Sequence, residues 1–221
     1  MLIDHIGSIF APTAAIYYPM RIIGRIAFPV FAYQIAVGYV NTRNFTKYLS
    51  LLSVFAVISQ VPYYLAFNGA HSERMLLSDL NIFFTLALGL IAMYCYDTVS
   101  KNKFCKRFYI GVIPVIAFAL IAYIFSADYG AYGIIMIFLC YIFRRRPIHA
   151  LVSQSVLTCV YIYQSNAPFW QLFCLLGFLA VYAPFLKQNI SYPTVKLNKY
   201  FFYSFYPLHL LALFFIRFYL F

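Results

Sequence analysis

Residues 21–40 read RIIGRIAFPVFAYQIAVGYV, and this stretch decides the fold class. An apolar run of about 20 residues matches one crossing of the hydrocarbon core of a bilayer. Because a chain in lipid has to satisfy its backbone hydrogen bonds within itself, we expect each such run to be a helix. The run nevertheless contains Arg21 and Arg25, two charges that a simple membrane anchor does not need.

The rest of the chain has the same apolar character. Of its 221 residues, 65% are hydrophobic, 22% are aromatic and 10% are charged, whereas about 25% of the residues in a soluble domain are charged. We therefore predict an all-α, polytopic membrane protein with about eight or nine transmembrane or half-spanning helices in one bundle. Residues 1–221 are expected to form a single transmembrane domain.

Basic joints alternate with neutral or acidic joints between the predicted spans. The candidate spans are about residues 1–18, 21–40, 47–66, 80–98, 109–126, 131–143, 148–165, 168–186 and 200–220. The basic joints contain Arg43 and Lys47, Lys101 to Arg107, Arg144 to Arg146, and Lys187 to Lys199. Because positive loops stay on the cytoplasmic side of a membrane, we expect these joints and the N-terminus to be cytoplasmic.

The formal net charge of +11 does not indicate a nucleic-acid partner. The cations lie in the joints and form no basic stripe interleaved with aromatic residues, so topology accounts for them. The five cysteines stand singly, without the spacing of Cys and His ligands that metal sites show. We therefore predict no metal and no nucleic acid.

Ionisable side chains inside the apolar spans mark candidate functional positions, because each costs at least about 2.5–3.5 kcal/mol to insert. Arg21 and Arg25 lie four residues apart and therefore share one helix face. Asp4 and His5 open the chain. Adjacent residues do not face each other in a helix, so Asp4 is not expected to orient His5. His209 follows Pro207 near the middle of the last span.

Each of these residues also has a structural interpretation. Arg21 can extend its guanidinium to the outer membrane surface, whereas Arg25 lies one turn deeper and needs a buried partner or an anionic ligand. Asp4 and His5 can belong to a polar N-terminus in the headgroup region. His209 can be a structural histidine that is bonded to a backbone carbonyl.

Two polar positions lie where helices are predicted to begin. Asn81 is a candidate ligand-binding residue, although Ser78 or Asp79 can simply cap the helix that follows. Asp128 is interpreted as the cap of the next outer helix. Tyr63 is interpreted as part of the aromatic belt at a membrane surface.

The sequence resembles the TraX family of bacterial membrane proteins, named for an enzyme that acetylates the N-terminus of conjugative pilin. The resemblance runs through most of the chain as short stretches in the family's order. These are MLIDH (1–5), GRIAFP (24–29) with Phe31-Ala32, LNIFF (80–84), DYG (128–130) with Gly133, and FYPLHL (205–210).

The resemblance implies acyl transfer, most simply of acetyl from acetyl-CoA to an acceptor amine or hydroxyl at or beyond the outer face. The acceptor would be a pilin-like peptide N-terminus or a surface glycan, and the protein would lie in the bacterial inner membrane. The implied catalytic residues are His5, His209 and Asp4, and the implied donor-binding residues are Arg25 and Asn81. Arg21 is a further candidate for donor binding, because it shares a helix face with Arg25. His5 is the first candidate for the base and His209 the second, and either can instead carry the acyl group transiently.

The sequence departs from the family at its start, where the Asp-His pair follows Met1 almost directly. If Pro12 ends the first helix, residues 1–11 extend only about 16 Å, roughly half of a bilayer core. We expect either that the true start lies upstream or that the first span is a half-helix. Two other classes of function stay open. One is a solute or ion transporter, and the other is a non-catalytic assembly partner of a pilus or peptide.

Overall fold

The computed structural model describes residues 1–10, 15–69, 76–77, 79–101, 108–186 and 199–220. These residues are almost entirely helical and contain no β-strand, which confirms the predicted all-α class. The helices are α1 (Leu2–Phe10), α2 (Tyr17–Asn41), α3 (Phe45–Asn68), α4 (Ile82–Lys101), α5 (Phe108–Ile124), α6 (Gly130–Ile142), α7 (Pro147–Ser165), α8 (Cys174–Leu186) and α9 (Lys199–Leu220). A short 3-10 helix, Phe169–Phe173, precedes α8.

Among the described residues, four helices, α2, α3, α4 and α9, are long and apolar enough to cross a membrane. Shorter apolar segments lie in α5, in α6 and in Phe169–Ala183, which includes the 3-10 helix and most of α8. Pro147 occupies the first turn of α7, where its missing N–H leaves no hydrogen bond unmade. The expected helix over residues 1–18 is wrong, because α1 ends at Phe10. Its nine residues extend about 14 Å, or half of a bilayer core.

The helices α2, α4 and α6 pack against one another at the centre of the bundle. Ala32, Leu90, Met93, Ile134 and Ile137 are fully buried between them. The outer helices pack on this centre, with α8 on α2, α5 on α4 and α6, and α3 on α4 and α9. Small residues allow close approach in membrane bundles.

The carboxyl ends of α2, α4 and α6 meet at one end of the bundle. There Asp97 of α4 accepts a hydrogen bond of 3.0 Å from the Tyr39 hydroxyl and one of 2.6 Å from the Tyr141 hydroxyl. Arg43 lies just after the end of α2, and Arg144 lies just after the end of α6. We call this the basic end. Residues 102–107 and 187–198, which make up most of two predicted basic joints, lie outside the described residues.

The opposite end of the bundle contains a backbone contact between two joints. Leu80 pairs with Ala127, and the Asp128 N–H donates to the Leu80 carbonyl at 2.8 Å. The Thr85 hydroxyl donates to the Asp128 carbonyl. Tyr129 follows in the left-handed region with a φ of 63°, which residues other than glycine rarely adopt and which is frequent at functional sites. This joint fixes the positions of Asp128 and Tyr129.

Candidate functional site

A cavity of about 180 Å³ lies toward the opposite end of the bundle, where α1 meets α2, α3 and the start of α4. Four of the predicted site residues line it: Asp4, His5, Arg21 and Arg25. Met1 also lines it, so the expected position of the N-terminus beside the basic joints is wrong. The cavity therefore brings ionisable side chains of α1 and α2 together.

Helix α1 carries Asp4 and His5 to the cavity by packing closely on α2. A methyl group on Gly7 would lie 2.9 Å from Met20 Cβ, and one on Gly24 would overlap the Asp4 side chain. Because Asp4 and His5 are neighbours in a helix, they point in different directions. Asp4 contacts α2 and His5 contacts α9, which agrees with the expectation that Asp4 does not orient His5.

Asp4 pairs with both arginines of α2. Arg21 Nη1 lies 2.8 Å from Asp4 Oδ1, and Arg25 Nη2 lies 3.9 Å from the same oxygen. Arg21 therefore does not simply extend to the membrane surface. Arg25 also donates from Nη1 to the Tyr129 hydroxyl at 3.4 Å. Its Nε is buried and has no hydrogen-bond partner among the described residues, so this guanidinium keeps an unused donor.

His5 and His209 form a buried pair across 204 positions of the chain. His5 Nδ1 lies 2.9 Å from His209 Nε2, and His209 Nδ1 lies 2.7 Å from the Phe205 carbonyl oxygen. The two side chains are 6% and 7% exposed, respectively. Only His5 lines the cavity, so the two candidate bases have different surroundings.

Asn81 lies outside the cavity lining that the described residues form. Its Nδ2 donates to Gln60 Oε1 at 2.8 Å and to the Ala56 carbonyl at 2.7 Å, while its Oδ1 accepts from the Phe83 N–H at 3.0 Å. This buried amide holds the start of α4 against α3. The structure therefore does not bring Asn81 to the other predicted site residues. Ser78, one of the two residues suggested as a cap of α4, lies outside the described residues.

Three ionisable side chains that the sequence did not assign to the site also line the cavity: Tyr63, Asp128 and Tyr129. The interpretation of Asp128 as a helix cap is wrong, because Tyr129 is the residue at the start of α6 and makes no side-chain cap. The stretch DYG at residues 128–130 was a usable signal for Asp128 and Tyr129, since it belongs to the family resemblance. No comparable signal marked Tyr63.

Comparison with known proteins extends these observations. A model of the family described as TraX protein matches residues 1–217. A curated relative, the probable fimbrial assembly protein FimC of serogroup H1 from Dichelobacter nodosus, is 30% identical over 141 residues. The matched region is 61% of this chain and 54% of that protein, so the chain spans about half of the relative's length. No solved structure matches.

Proposed function

The chain belongs to the TraX family, and from that premise we propose that it is a membrane-embedded acyltransferase. It would move an acetyl group from acetyl-CoA to an acceptor amine or hydroxyl. The observation that carries the proposal is the position of His5. Its imidazole contacts a second histidine and lines a cavity that Arg21 and Arg25 also line.

In the proposed reaction, His5 takes a proton from the acceptor, a task that suits a histidine. The acceptor nitrogen or oxygen then bonds to the thioester carbonyl carbon. When the carbon–sulfur bond breaks, the departing CoA thiolate recovers the proton from His5. The products are the acetylated acceptor and free CoA, and the base returns to its starting state.

Arg25 is the group best placed to stabilise the oxyanion that forms during this attack. Its Nε is buried without a partner among the described residues, and a donor that is already in place when negative charge develops lowers the barrier. Arg21 is committed to Asp4 at 2.8 Å. We therefore assign Arg21 and Asp4 to holding α1 in position, with Asp4 also balancing the charge of Arg25.

Asp128 favours an amine over a hydroxyl as the acceptor. It lines the cavity but takes part in neither of the ion pairs found among the described residues, since both use Asp4. A carboxylate in this position attracts a cationic amino group. That group releases one proton to water, and the neutral amine then attacks and gives a second proton to His5. The name of the fimbrial relative is consistent with a peptide acceptor.

We further propose that the basic end faces the cytoplasm of a bacterium and that the cavity faces outward in the inner membrane. Arg144 to Arg146, together with the joint from Lys101 to Arg107, would then meet the phosphates of acetyl-CoA. The thioester then has to reach Arg25 from the basic end. Arg25 lies about 21 Å along α2 from Tyr39, which is at that end. Asn81 would have no role in donor binding.

Mass spectrometry of surface peptides and glycans tests this proposal in cells. We expect an increment of one acetyl group on an acceptor when the wild-type protein is present, and no increment when it carries His5→Ala. His149→Ala is the matched control, because His149 is exposed and lies outside the cavity lining. An acceptor modified equally with His5→Ala would contradict the proposal. Acetylation found only on hydroxyl groups would contradict the role of Asp128.

A non-catalytic assembly partner is the second candidate, and the similarity to a probable fimbrial assembly protein favours it. Such a protein has no need of a paired histidine in a charged cavity. If His5→Ala preserves pilus assembly while no acceptor changes mass in either strain, this second function is the correct one.

A further inference from the structure

The Phe205 carbonyl determines which nitrogen of His209 carries the proton. A carbonyl oxygen only accepts hydrogen bonds, so the His209 Nδ1 that lies 2.7 Å from it has to be the donor. The opposite tautomer would place two lone pairs against each other at this distance. In neutral His209, Nε2 is consequently unprotonated and presents a lone pair.

The same reasoning then fixes the tautomer of His5. His209 Nε2 accepts, so His5 Nδ1, at 2.9 Å, has to donate. A neutral imidazole has one protonated and one unprotonated nitrogen. His5 Nε2 is therefore the bare nitrogen and the one atom of this histidine pair that can take a proton from a ligand in the cavity.

We propose that His209 is a positioning residue, which holds His5 in the tautomer with a basic Nε2, and that it is not a second base. This role rests on the proposed acyl transfer, in which His5 is the base. The order of groups is Phe205 carbonyl, His209, His5 and acceptor. A backbone carbonyl thus takes the place at the far end of the relay that a carboxylate occupies in many catalytic triads.

Among the described residues, Asp4 makes no hydrogen bond to either histidine. Asp4 adjoins His5 in sequence, but its Oδ1 is bonded to Arg21 on α2. Aromatic rings hold the two imidazoles in place instead. The Phe205 ring stacks on His209 at a centroid distance of 5.0 Å, and the Phe67 ring meets His5 edge-on at 5.4 Å.

Proton uptake by His5 preserves the arrangement. When Nε2 takes the acceptor proton, the imidazolium still donates its Nδ1–H to His209, and this hydrogen bond becomes charge-assisted. His209 therefore stabilises the cation that forms during the reaction. The proton on Nε2 then goes to the departing thiolate, and the relay returns to its original protonation without any change at His209.

Two substitutions of His209 separate an orienting role from a merely structural one. In His209→Gln, the amide oxygen can occupy the place of Nε2 and accept from His5. In His209→Asn, the amide reaches only the place of Nδ1 and leaves His5 without an acceptor. We expect kcat in the glutamine variant to stay within about tenfold of wild type, and kcat in the asparagine variant to fall by about 100-fold or more.

Because the acceptor does not contact His209, KM should change little in both variants. Melting temperatures of the purified proteins in detergent show whether each variant is folded. Equal activity of His209→Asn and wild type would overturn the proposal. So would an equal loss in the two variants if both are folded.

Nitrogen-15 NMR of histidine-labelled protein tests the tautomers directly and requires no activity. The chain has four histidines, and spectra of His5→Ala and His209→Ala assign the two signals. We expect His5 and His209 both to be protonated at Nδ1 in their neutral forms. A wild-type His5 protonated at Nε2 would overturn the relay. If the expected tautomers are observed but no acetyl transfer occurs, the proposed function fails and the hydrogen-bond relay stands.

Discussion

At the scale of single residues, the two arginines of α2 differ in what they can do. Arg21 and Arg25 contact the same oxygen of Asp4, at 2.8 and 3.9 Å. Arg21 directs one nitrogen to this ion pair, whereas Arg25 spreads its nitrogens over Asp4, the Tyr129 hydroxyl and a position unpaired among the described residues. The Arg25 guanidinium therefore contacts two groups and keeps one donor free among the described residues.

Substitution by lysine should distinguish the role of Arg21 from that of Arg25. An ammonium group can keep the single ion pair of Arg21 with Asp4, so Arg21→Lys should retain kcat within about tenfold. Arg25→Lys removes the fork that meets several groups, and we expect kcat to fall by about 100-fold, as when an oxyanion donor is lost. Steady-state rates of acetyl transfer measure both. Equal losses in the two variants would contradict the distinction.

At the scale of elements, α1 is a half-helix that carries two of the candidate site residues, Asp4 and His5. It contacts α2 and α9, and it places Asp4 on the former and His5 on the latter. Gly24 makes this possible, because any side chain there would occupy the space of the Asp4 carboxyl group and its Cβ. The position of α1 on α2 thus determines whether His5 reaches both His209 and the cavity.

Alanine at Gly24 should displace α1 and reduce activity while the bundle stays folded. A shift of about 1 Å in a catalytic group can cost about 100-fold in rate, and we expect a loss of this size for Gly24→Ala. Gly38→Ala is the matched control on the same helix. Its methyl group would meet the flexible end of Tyr48, with the hydroxyl at 2.8 Å, near the basic end. Similar rates in the two variants would show that α1 is not held in this way.

At the scale of the whole molecule, the fold was more predictable than the site. Apolar run length predicted the long helices closely, as in the span over 21–40 that the structure extends to Tyr17–Asn41. Run length failed at α1, because hydropathy does not distinguish a half-helix from a full crossing. The insertion cost of charges singled out His5 and Arg25, and the structure shows a polar side-chain partner for each of them.

The partners of those residues were not predictable, because insertion cost gives no information about contacts. Nothing in the local sequence pairs His5 with His209 across 204 positions. Insertion cost also singled out Asn81, but this residue does not line the cavity. Its amide donates a hydrogen bond to Gln60 and holds α4 against α3. Asp128 reaches the cavity only because the Leu80–Ala127 contact and the left-handed Tyr129 fix the joint around it.

Acetyl transfer by the purified protein is the most direct test of the central claim. Wild-type protein in detergent is supplied with labelled acetyl-CoA and a peptide with a free N-terminus, and both peptide acetylation and CoA release are measured. The proposed role of His5 predicts turnover by the wild type and by His149→Ala, and a rate lower by about 100-fold or more for folded His5→Ala. Undiminished transfer by His5→Ala would contradict the role of His5 as the base.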